Sequence, residues 1–179
     1  MEKKYRKIAK EFINRMKEEQ AMRKRWKDHK FNMKFYKGHI DQDNLKFLKQ
    51  VIDQSGWPTR QKVGKNASTA AWLIAQHAGF DREFQRKVLG LLKRLPKGAV
   101  ELKHVALLAD RLRLSDGKKQ IYGTQLNMDL KGGTVVVPPI WQPSTLDKRR
   151  GKMGLKPFNE QFNKASRAIR LISENRKRR

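Results

Sequence analysis

Cysteine is absent from the chain, which removes disulfides, thiol nucleophiles and thiolate metal sites together. Acid is scarce: 17 Asp and Glu stand against 43 Lys and Arg, a formal charge of +26 over 179 residues. Such an excess costs a compact chain self-repulsion unless a polyanion lies against it. Nucleic acid, RNA or the ribosome, is therefore the expected partner, with an anionic membrane surface second. No apolar run approaches the length of a membrane span, and the opening MEKKYRKIAKEF lacks an apolar signal-peptide core. The expectation is a cytoplasmic protein without integral membrane contact; the lack of cysteine is equally compatible with export by a route that needs no signal peptide. Phosphate-loop, dinucleotide and serine-elbow motifs are missing. His29, His39, His77 and His104 show no ligand spacing, so no metal and no cofactor is expected.

What is present is helical pattern. In ASTAAWLIAQHA, Ala67, Ala70, Ala71, Ile74 and Ala78 share a face that Leu73 and His77 border, the period of a central buried helix. Before it, residues 2 to about 28 read as a basic helix whose stripe Tyr5, Ile8, Phe12, Met16 continues onto Glu19, Gln20 and Arg23. Those polar groups then occupy inner-face positions, either as an intrahelical Glu19–Arg23 pair or as the lining of a cleft. Phe31, Phe35 and Tyr36 suit packing at a helix end, or base stacking.

A second helix starts with Asp41 as N-cap and buries Leu45, Leu48, Val51 and Ile52; Asn66 caps the central helix and Asp81 a fourth. A fifth, Glu101 to Leu114, buries Leu102, Val105, Leu108, Ala109 and Leu112. Residues 120–130 and 134–140 bracket Lys131-Gly132-Gly133 as a β-hairpin. A final helix carries Phe158, Phe162, Ala165, Ile169 and Ile172 on one face.

The expected fold is mainly α, a single helical domain with one small β-hairpin and basic helices at both ends. Its core includes Ile74, Leu91, Leu92, Val105, Leu108 and Leu112. The expected divisions are 1–38, 39–155 and 156–179.

Glu19-Gln20 with Arg23, GWPT (Gly56 to Thr59), Val63-Gly64, QHA (Gln76 to Ala78), Phe84-Gln85, Asp110-Arg111 and YGTQ (Tyr122 to Gln125) follow one another along the chain. Together with Asp147, Arg150 and Gly154-Leu155, they resemble the signature of a bacterial domain family of unknown function over roughly residues 10 to 160. The resemblance implies a site rich in His, Asp, Arg, Tyr and Gln. Two features set this chain apart from that pattern: its basicity and its last segment.

From the residues, His77, Asp110, Arg111, Tyr122 and Glu19 form a metal-free acid/base inventory, with His77 as proton shuttle and guanidinium groups holding anionic oxygens. Gln20, Arg23, Gln125 and Trp57 are candidate substrate contacts. Arg149, Arg150, Lys152, Arg176, Lys177, Arg178 and Arg179 are candidate phosphate contacts. Because isolated buried polar groups are costly, most of the acid/base set is expected in one polar pocket around His77. Against this stand structural readings: a satisfied helical histidine, and an Asp110–Arg111 ion pair.

Three functions follow. The first is an RNA- or ribosome-associated basic protein built on an enzyme-like helical domain. The second is a metal-free hydrolase or transferase acting on RNA or a nucleotide, including a toxin-like nuclease. The third is a non-catalytic structural protein of an RNA–protein assembly.

Overall fold

Helices account for most of the computed structural model, which describes residues 2–129 and 132–177. The fold is mainly α with one two-stranded antiparallel hairpin. Among the described residues the helices are α1 (Lys3–Asp28), α2 (Gly38–Ser55), α3 (Arg60–Val63), α4 (Lys65–His77), α5 (Arg82–Arg94), α6 (Leu102–Ser115), α7 (Leu146–Lys152) and α8 (Phe158–Lys177). The strands are β1 (Asn127–Asp129) and β2 (Thr134–Val136). The chain divides into two compact units, Met1–Val100 and Glu101–Arg179. The division falls inside the segment expected to be one core. The expected core residues are accordingly shared out, with Ile74 and Leu92 buried in the first unit and Val105, Leu108 and Leu112 in the second.

In the first unit α4 is the hub. It packs against α1, α2, α3 and α5, because Ala67, Ala70, Ala71 and Ala75, all within 2 % of full burial, let neighbouring backbones come close. Gly64, at φ 82°, precedes the first turn in the place expected for Asn66. α1 packs against α4 and buries Phe12 and Met22, and its stripe does continue inward onto Glu19. The GWPT segment is a corner. Gly56 takes φ 69°, Trp57 and Pro58 are buried, and the Thr59 hydroxyl caps α3 by accepting from Lys62 N at 3.4 Å. Asp81 caps α5 as expected, accepting from Phe84 N at 2.9 Å. Asp41 does not cap α2. The helix starts three residues earlier, and the carboxylate is used elsewhere. Phe31 and Tyr36 pack on Trp26, and Phe35 stacks on His29 at 3.7 Å between centroids, which is the packing role.

In the second unit α6 buries Val105, Leu108, Ala109 and Leu112, while Leu102, expected inside, is 47 % exposed. The hairpin is shorter than its pattern. Asn127, Met128 and Asp129 pair with Val136, Val135 and Thr134, while residues 121–126 of the first expected strand form a loop. The turn residues 130 and 131 lie outside the described residues. α8 packs on β2 and α7, with Ile169 fully buried. Gly133, at φ 68°, sits where a Cβ would come within 3.0 Å of Ser173 on α8, so this turn needs glycine both for its backbone and for its neighbour.

Candidate functional site

Glu19, Gln20, Arg23 and His77 belong to the first unit; Asp110, Arg111, Tyr122 and Gln125 belong to the second.

In the first unit the inward turn of α1 brings Glu19 to the end of α4. Glu19 is 1 % exposed, and its Oε1 accepts from His77 Nδ1 and, at 2.5 Å, from Arg23 Nε. Arg23 then reaches α2, donating from Nη2 to both oxygens of Asp41 at 2.9 and 3.0 Å; the same carboxylate accepts from the Tyr36 hydroxyl. The result is a continuous chain, His77–Glu19–Arg23–Asp41–Tyr36. Burial by itself would raise the Glu19 carboxyl, but hydrogen bonds and charge from His77 and Arg23 outweigh it and hold the group below the usual carboxylate range. Arg23 likewise loses by burial and gains more from Glu19, Asp41 and Tyr36, so its proton is held more tightly than usual. Burial and then Asp41 push the Tyr36 phenol up.

This arrangement has the parts of an acid/base dyad. A buried carboxylate orients an imidazole whose side chain is 23 % exposed. With Nδ1 committed to Glu19, Nε2 is the nitrogen left for a reacting group. Glu19 Oε2 is buried without a hydrogen bond among the described residues. Gln20 is exposed, although the stripe assigned it inward. Trp57, expected to touch a substrate, is 3 % exposed and belongs to the corner before α3.

In the second unit Asp110 is a clamp. Fully buried, it accepts from the backbone N–H groups of Ile121 (2.7 Å), Tyr122 (3.1 Å) and Thr124 (3.0 Å) and from the Thr124 hydroxyl (3.0 Å). Its oxygens are engaged by the loop that takes up much of the expected strand, a structural use of a residue expected to be catalytic. Gln120 holds the same loop from the other side. Its Nε2 donates to the Gln125 and Pro138 carbonyls, and its Oε1 accepts from Gln125 N at 2.8 Å. The Gln125 side chain donates to Leu107 O and Thr124 Oγ1, a structural tie where a substrate contact was expected. Tyr122 is half-buried, its phenol raised by burial first and by Asp110 second; Arg111 is half-buried on α6.

Two of the expected phosphate contacts are also used internally. Arg150 is 1 % exposed, and donates to the carbonyls of Lys156 (2.8 Å), Tyr122 (2.7 Å) and Gly123 (3.3 Å) and to Gln161 Oε1 (2.7 Å). Burial lowers its pKa, against opposing help from Asp147 and Asp110. Arg149 donates to the carbonyls of Ile121, Trp141 and Gln142 and to Thr145 Oγ1. Six carbonyls of loops and turns thus find donors in two adjacent arginines, an internal use of two expected phosphate contacts. Lys152 is exposed. The side chains of Arg176 and Lys177, and Arg178 and Arg179 entirely, lie outside the described residues.

Sequence reasoning missed Asp41, Tyr36, Gln120 and Thr124. Asp41 was read as a cap and Tyr36 as packing because both have an adequate local role; only the distant partner reveals the other one. Gln120 carried no signal beyond its place before YGTQ.

No helix among the described residues is long and apolar enough to cross a membrane. None of the curated proteins and none of the solved structures matches the chain. A family model does match, over residues 7–172, and that span takes in Glu19, Arg23, His77, Asp110, Tyr122, Gln125 and Arg150 alike. With nearly all of its length covered, the chain belongs to the family of unknown function DUF6624.

Proposed function

We propose that the protein is a cytoplasmic, RNA-associated basic protein that binds along the phosphate backbone. The observation that carries this is the charge of +26. Where that charge sits supports it: the Lys and Arg side chains of α1 from Lys3 to Lys27 are exposed, apart from Arg15 and Arg23, which turn inward. A rod of exposed cations matches an extended polyanion better than it matches a small anionic ligand. Binding to single-stranded RNA, followed by fluorescence anisotropy at rising salt, is expected to weaken with a log–log slope of about −4 or steeper, since each neutralised phosphate contributes about 0.7 to 0.9. A slope near zero sinks the reading.

A second reading is carried by a separate observation, the buried Glu19 holding a part-exposed His77. It makes the first unit a metal-free hydrolase or transferase acting on RNA or a nucleotide, with His77 as general base or acid. Glu19 orients the ring and Arg23 fixes Glu19. Any RNA cleavage by the purified protein is then expected to drop at least about 100-fold in His77→Ala, while RNA affinity is unchanged. Cleavage that survives the substitution belongs to a contaminant or to another group, and removes this reading while leaving the first intact.

A further inference from the structure

Trp141 lies between β2 and α7 and is 45 % exposed. The other three tryptophans are packed: Trp57 and Trp72 are buried, and Trp26 is half-buried against Phe31 and Tyr36. A large flat ring left in water forgoes the burial that aromatic side chains ordinarily supply.

The ring is exposed but held. Trp141 N donates to Gln120 O at 2.8 Å, and Trp141 O accepts from Arg149 Nη2 at 2.5 Å. The Arg149 guanidinium lies over the indole, 5.1 Å from its centroid, within cation–π range. That guanidinium is itself fixed by Ile121 O at 2.8 Å, Gln142 O at 3.1 Å and Thr145 Oγ1 at 2.5 Å. One face of the indole thus rests on an immobilised cation, and the exposed area belongs to the rest of the ring. The backbone adds an independent observation. Gln142, next in the chain, has φ 41°, a left-handed conformation uncommon for a residue with a Cβ. Arg149 holds it there, donating to its carbonyl from both terminal nitrogens. Turns kept in such conformations by their surroundings gather at binding sites.

The neighbouring segments are basic. Gln120 pairs with Ile140 in an isolated bridge, which brings Lys118 and Lys119 beside the Trp141 segment, and Lys148 precedes Arg149. All three lysines are exposed, and among the described residues none makes an ion pair. The acids of these segments are Asp116 and Asp147, and Asp147 already accepts from Phe158 N at 2.8 Å.

A flat apolar face suits a flat partner, and unpaired lysines suit anions. An unpaired nucleotide offers both at once, whereas a duplex keeps its bases stacked on one another and meets the lysines alone. We propose that Trp141, backed by Arg149, is a stacking platform for an unpaired base of single-stranded RNA, with Lys118, Lys119 and Lys148 as contacts for the flanking phosphates. This rests on the RNA reading and sharpens it, because stacking accepts any base and therefore selects single strands without selecting sequence.

Tryptophan fluorescence of the full chain tests the platform. A short single-stranded RNA is expected to quench the emission saturably and to shield Trp141 from acrylamide; the duplex of the same sequence, held by charge, should do neither. Trp141→Phe should abolish the quenching and keep most of the affinity. Trp141→Ala should weaken binding at least about fivefold, the lower end of what loss of one stacked base does. Its salt slope should be unchanged, since stacking releases no counterions, and so should its far-UV circular dichroism. Quenching and shielding are read on the native protein, so they decide the matter even where a variant fails to fold. Bound RNA that leaves the emission unchanged, an equal response to the duplex, or native affinity in a folded Trp141→Ala overturns the platform. So does an emission shift on phosphatidylserine vesicles with none on RNA, which assigns the ring to a membrane surface. If salt-dependent RNA binding persists in those cases, only the platform is lost. A salt slope near zero removes the broader reading, whatever Trp141 does.

Discussion

Asp110→Ala is expected to destabilise the protein by about 4 kcal/mol, because it strips the acceptor from three backbone amides and a hydroxyl at once. Each buried donor left unpaired costs about 1–3 kcal/mol, discounted here because Ile121 and Tyr122 are only half-buried and their N–H groups can recover water. Against a typical total of about 5–15 kcal/mol, the loss takes the second unit close to unfolding. Asp110→Asn should do little better, since its amide would turn a donor toward donors. Thr124→Val, which removes the hydroxyl's bond to Asp110 and the one it accepts from Gln125, should cost about 2 kcal/mol. Guanidinium or urea unfolding followed by circular dichroism measures all three. A loss below about 1 kcal/mol for Asp110→Ala would show that the loop holds without its clamp, and would return Asp110 to the list of groups available for chemistry.

Glu19→Ala should cost about 3 kcal/mol at neutral pH, as removing one partner of a buried ion pair strands the others; Arg23 and His77, at 22 % and 23 % side-chain exposure, recover some hydration. The effect must also depend on pH. Glu19 has a folded pKa below its ordinary value of 4.5. The unfolded chain therefore takes up the proton first as pH falls, and stability linked to this group is fully present above about pH 5 and lost as pH drops through the folded value. The gap between native protein and Glu19→Ala should accordingly be widest near pH 7 and close in acid. Unfolding midpoints at pH 7, 5 and 3 test this, and a gap that widens toward pH 3 would contradict the assigned sign. Where RNA-cleaving activity is present, Glu19→Gln separates orientation from charge, because the amide keeps the shape but no longer stabilises an imidazolium.

Residue periodicity was enough to place the long helices, to locate a hairpin around Gly132 and Gly133, and to mark Glu19 as a carboxylate on an inner face. Composition alone sets the net charge of +26. These properties are local or additive. A helix repeats every 3.6 residues whatever it packs against, and net charge is a sum. Asp81 also capped its helix as its neighbours required, since a cap and its amide lie three residues apart.

What the tertiary structure decided concerns partners distant in sequence. Whether Asp41 caps a helix or binds a guanidinium depends on Arg23, 18 residues away on another helix. Arg150 lies in a run, DKRRGK, that looks like a solvated patch, and it is buried because the loop at Tyr122 and Gly123, 28 and 27 residues upstream of it, needs a donor. The first half of the expected strand became a loop for the same reason: Asp110 draws its amides away from the ladder. The division into two units was equally hidden, because periodicity marks a buried face without naming the elements that cover it. A one-dimensional pattern states which side of a helix is buried; which other helix lies there, and which polar group answers which, is set by packing.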